Sequence, residues 1–153
     1  MNKDERAQIG LILTHEFDQA LRRANKFANE IFAKHSVAGR LQSNVTISEI
    51  LRMIVEDLTD LLDRIVEQVG SVSRERRAAS LIQVAFSEHM DKLLNGEFRR
   101  VASIVSGDGS SPPKDDIWQL AKRFFEQATS DLETKLRIFT RLKTQKCERF
   151  QFT

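Results

Sequence analysis

The 153 residues are 41% apolar, enough for one domain with a real core and too few for two of ordinary size. Lysine and arginine number 24 against 22 aspartate and glutamate, and the resulting charge of +2 marks neither an acidic tail nor an overtly basic nucleic-acid binder. Two prolines, six glycines and one cysteine exclude collagen-like, proline-linker and turn-dense all-β classes, an internal disulfide framework and any multi-cysteine zinc site.

The chain opens on charged residues, Lys3-Asp4-Glu5-Arg6, and the apolar run Ile9 to Leu13 is shorter than the core of a secretory signal. No stretch approaches the roughly 20 apolar residues that span a bilayer. The expected compartment is the cytoplasm, where the free thiol of Cys147 is tolerated.

Helical periodicity is the strongest signal in the chain. Leu13, Phe17, Ala20, Ala24, Phe27, Ile31, Ala38 and Leu41 keep a 4-3 spacing, with Lys34 at the one missing step, and predict a helix over 3–38. Gly39 is its expected stop, because glycine enters the left-handed region without a steric penalty. Thr46-Ile47-Ser48-Glu49 then fits a capping box, with Val45 and Ile50 at the staple positions. The helix that follows, to about residue 70, carries Ile47, Leu51, Ile54, Leu58, Leu61 and Ile65, and further apolar residues widen that face to nearly half the circumference. A face that wide meets more than one neighbour.

Gly70-Ser71-Val72-Ser73 reads two ways. It can end one helix and cap the next, or the sevenfold register of Ile65, Val72, Ala79, Phe86 and Leu93 can run straight through. An unbroken helix over 46–105 would be about 90 Å long, uncommon in a globular domain, so a break is expected. A third helix over 74–105 presents Phe86, Met90, Leu94, Phe98, Val101 and Val105. Ser106 to Pro113 is the one loop of strong breaker composition, and a fourth helix over 115–149 carries Ile117, Ala121, Phe124, Ala128, Leu132, Leu136, Phe139 and Leu142.

These elements predict an all-α fold, an antiparallel up-down-up-down four-helix bundle over 1–149 followed by a short aromatic tail over 150–153. The alternative is three long helices with a continuous middle helix, completed by dimerisation. In either case helix two is shorter than the others by about ten residues, or about 15 Å. The overhanging apolar stripe argues for a homodimer.

Chemistry is sparse. Ile12, Phe32 and Phe86 stand three residues before the three histidines, so the Glu-x-x-His pairs of di-iron bundles are missing. No nucleophile elbow, P-loop or dinucleotide fingerprint occurs, and no catalytic, cofactor or metal site is expected. His89-Met90-Asp91-Lys92 is similar to the histidine-phosphotransfer pattern in placing lysine three residues after histidine. It departs at Leu93, where that family places glycine, and a structural histidine is the favoured reading.

Two clusters remain. His35 and Glu97 fall on apolar faces and Trp118 opens helix four, so the bundle topology brings all three to one end. Pairing of His35 with Glu97 beside Trp118 would make a small polar pocket. At the other end Arg74, Arg76 and Arg77 approach Arg141, Lys143, Lys146 and Arg149, with Lys3 and Arg6 near them, as a basic pole. The expected function is a non-enzymatic interaction or regulatory module that binds a protein partner or itself. One alternative is small-ligand sensing at His35, Glu97 and Trp118. Another is association with anionic RNA or lipid through the basic pole, although the near-balanced charge disfavours nucleic acid or a membrane surface as partner.

Overall fold

Among the described residues six consecutive helical pieces build four rods. The computed structural model describes residues 1–39, 44–106 and 115–151, with side chains described over 1–39, 45–105 and 117–140. The first rod is α1 (Lys3–Val37) and the second α2 (Asn44–Val72). The third joins α3 (Arg76–Lys92), a π-helical turn (Leu93–Phe98) and α4 (Arg99–Ser106), and the fourth is α5 (Asp115–Gln151). The protein is an all-α helical bundle, without a strand among the described residues. None of the described helices is long and apolar enough to cross a membrane.

Both ends of α1 are set by local chemistry. The Asn2 side chain accepts from the Glu5 amide at 2.8 Å, and Asp4 and Glu5 face the positive end of the helix dipole. At the other end Gly39 takes φ +72° and its amide donates to the Ser36 carbonyl, the stop expected there. Between them the buried seam differs from the predicted stripe. It is Ile9, Leu13, Phe17, Ala20, Ala24, Ala28, Ile31 and His35. Ile9, Ala20 and Ile31 stand at intervals of 11, as do Leu13, Ala24 and His35. An 11-residue repeat drifts opposite to a heptad. It explains the missing step at Lys34: the seam has already moved on to Ala28 and His35, leaving Phe27 on the flank and Ala38 exposed.

The chain does break between the second and third helices, but not at Gly70. Helix α2 continues through Gly70 to Val72, the Ser73 amide still donates to the Val69 carbonyl, and α3 starts at Arg76. Gly70 serves a different purpose. A Cβ built on it would lie 2.8 Å from the Arg74 guanidinium, so the bare backbone lets that side chain fold over the helix end. The guanidinium also stacks on the Phe139 ring, 5.2 Å from its centroid. Arg74, expected in the basic pole, therefore does not project from it: the side chain is half-buried between α2 and α5.

In the third rod the buried positions step from Leu93 to Phe98, five apart, where an α-helix would step by three or four. The π-turn absorbs the extra residue and returns Phe98, Val101 and Val105 to the core. Leu94, expected on the main stripe, is half-buried instead. In α5 the seam takes Phe125 in place of Phe124.

Among the described residues the principal packing pairs are α1 with α2 and α3, and α5 with α2 and α3, while α4 reaches α2. Thus α2 and α3, joined by the shortest connection, are not principal neighbours. Helices α1 and α2 run antiparallel, with Glu16 against Arg64 and Gln68, Arg23 against Asp57, and His35 against Thr46 and Glu49. Helices α1 and α3 run the same way, with Phe17 on His89 and Asn25 on Glu97. The core is the line of seams from all four rods, with Ile47, Leu58, Leu61, Leu62, Ile65 and Ile82 among its fully buried side chains. Helix α2 has 29 residues against 35 in α1 and 37 in α5, so its shortfall is smaller than the sequence suggested.

Candidate functional site

His35 lies at the C-terminal end of α1, 5% exposed. Its Nε2 is 2.8 Å from Glu49 Oε2 and its Nδ1 is 2.6 Å from Thr46 Oγ1. A carboxylate only accepts, so Nε2 carries the hydrogen, and in the neutral ring Nδ1 accepts from the Thr46 hydroxyl. The hydrogen bond from His35 holds the Glu49 carboxyl below the usual carboxylate range; desolvation opposes this, and Lys34, 3.6 Å away, assists. Thr46 and Glu49, read from sequence as a capping box, thus spend their side chains on tertiary contact with α1. Helix α2 begins two residues earlier, at Asn44.

The expected pairing of His35 with Glu97 does not form, because both ring nitrogens are taken by α2. Glu97 sits in the π-turn and accepts from Asn25 at 3.3 Å and from Arg100, whose guanidinium also lies over the Phe32 ring. Trp118 packs on Phe98, with ring centroids 5.7 Å apart. The three residues share one end of the bundle but are engaged separately, so the pocket proposed for them is not built. Among the described residues no three potential metal ligands converge either.

At the opposite end Lys3, Arg6 and Arg77 line one hollow of about 400 Å³ between α1 and α3, together with Leu81. Arg76 is exposed beside them. The side chains of Arg141, Lys143, Lys146 and Arg149 lie outside the described residues, as does the loop over 107–114.

Further along the same crevice is a smaller hollow of about 100 Å³, with an apolar floor from Leu13, Phe17 and Leu21 and a rim of Asp18, Glu88 and Lys92. His89 closes it. The ring is 2% exposed, 4.9 Å from the Phe17 ring, and its Nδ1 is buried without a hydrogen-bond partner. Burial pushes its pKa down to about 4, with the Lys92 and Arg23 charges adding to the effect and Asp18 opposing it. A neutral imidazole this enclosed is closed to a phosphodonor, which overturns the phosphotransfer resemblance.

Between the two hollows stand two exposed apolar side chains. Leu11 is 73% exposed and Val84 58%. The register set by Phe17 on His89 places Leu11 level with Val84 across the α1/α3 seam. Neither residue falls on a buried stripe predicted from the sequence. A signal was available: each stands two residues, or about 200°, from a core position (Leu13, and Ile82 or Phe86), which points an apolar side chain to the outside.

No protein-family model matches the chain, and neither does any curated protein or solved structure.

Proposed function

We propose that this chain is a non-enzymatic helical-bundle module of the cytoplasm that binds protein, a partner or a second copy, through the face shared by α1 and α3. The supporting observation is the pair Leu11 and Val84, two large apolar side chains held level on adjacent helices and left to solvent. Single exposed apolar residues are ordinary, but a pair held level on adjacent helices and flanked by hollows with charged rims marks a contact surface. The small-ligand alternative relied on His35, Glu97 and Trp118 converging, and their separate engagement withdraws that support.

The test is a photo-crosslinking amino acid placed in cells at Leu11 or Val84, with exposed Ser80 and Thr134 as controls on α3 and α5. The expected result is covalent adducts from Leu11 and Val84 and none from Thr134, with Ser80 intermediate. Equal yields from all four positions, or none, would overturn the reading.

A further inference from the structure

We infer that the α1/α3 face is a two-fold interface with a second copy of this chain, in which α3 crosses its own counterpart antiparallel at Val84. This deepens the reading above and rests on it. The argument is the distribution of charge about the apolar centre. On α3, Arg77, Val84 and Asp91 are spaced by seven residues, two turns, so they lie on one face with each charge about 10.5 Å from Val84. Arg77 stands at one end of the stripe and Asp91 at the other. Lys3 and Arg6 of α1 border the larger hollow with Arg77, and Asp18 of α1 borders the smaller one with Glu88 and Lys92.

Arg77, Asp18, Glu88 and Asp91 are all exposed, and none of them takes part in an ion pair among the described residues. A two-fold axis through Val84 reverses the stripe. It sets Arg77 of each copy against Asp91 of the other, twice, and lays the hollow lined by three cations over a rim on which Asp18 and Glu88 outnumber Lys92. Leu11 and Val84 of both copies meet at the axis and exclude water there. A parallel arrangement would place like charge on like, which disfavours it. An isologous contact needs this kind of self-complementary patch.

The test is sedimentation equilibrium of the full chain as wild type, Arg77→Asp, Asp91→Arg, and an equimolar mixture of the two variants. Wild type is expected at twice its 17.6 kDa chain mass, with association weakening as salt rises. Each single variant carries one sign at both ends of the stripe, and its dissociation constant is expected to rise about tenfold or more. The mixture restores both charge pairs and is expected to recover the dimer mass as a heterodimer. Circular dichroism of each variant confirms that the surface change leaves the helices intact; if either loses helix, Arg77→Gln and Asp91→Asn replace them, with a smaller rise expected. Single variants that associate like wild type, or a mixture that stays monomeric, would overturn this interface. A monomeric wild type at the highest attainable concentration would overturn self-association. Adducts to another protein from Leu11 and Val84 would then leave the wider reading in place, and their absence would remove both.

Discussion

His35 Nε2 stands 2.8 Å from Glu49 Oε2, and this contact ties the last turn of α1 to the first turns of α2. The ring is buried, its second nitrogen is held by Thr46, and Glu97 takes no part.

A double-mutant cycle separates these partners. His35→Leu combined with Glu49→Ala is expected to be non-additive by about 1 kcal/mol, because one hydrogen bond is removed by either change. His35→Leu combined with Glu97→Gln is expected to be additive within about 0.5 kcal/mol. Thr46→Val, at a fully buried position, is expected to cost about 1–2 kcal/mol by leaving His35 Nδ1 unpaired. Urea unfolding measures all three.

His89 makes stability depend on pH in a defined window. Its folded pKa is about 4 against 6.5 for the free side chain, so between those values the unfolded chain binds the proton and the folded one does not. The contribution is therefore full above pH 6.5 and is lost as pH falls toward 4, by about 3 kcal/mol. Thermal melts from pH 7.5 to 4 are expected to show a steep fall in wild type and a shallower one in His89→Leu. Glu49 adds a loss at lower pH, since its depressed pKa stabilises the fold above the ordinary carboxylate range and the benefit disappears on acidification through it.

The π-turn holds one residue more than an α-helix needs. Deleting Gly96, where an added Cβ would meet nothing, is expected to leave Leu93 and Phe98 four apart and convert the segment to α-helix with a stability change under about 2 kcal/mol. Deleting Ser87 in α3 is the contrast. It rotates every downstream core residue by about 100°, and the bundle is expected to lose its cooperative transition. Calorimetry of the two deletions distinguishes these outcomes.

The amino-acid sequence by itself determined the helices, their number and most of their buried faces. Periodicity is a local property: the seam of α2, the asparagine and glycine that bound α1, and the break between α2 and α3 all follow from residues within a few turns of one another. Tertiary structure decided which apolar positions were left over and which polar groups met. The 11-residue drift that carries His35 into the core, the π-turn that shifts the seam from Leu94 to Leu93, and the fold-over of Arg74 onto Gly70 each answer to a neighbouring rod. Thr46 and Glu49 make the same point. A capping motif and a tertiary clasp use the same residue types at the same spacing, and only the approach of α1 brings the His35 ring within reach of both side chains. The exposure of Leu11 and Val84 is likewise a matter of assembly, because a helix face is inside or outside only once the other helices have taken their places.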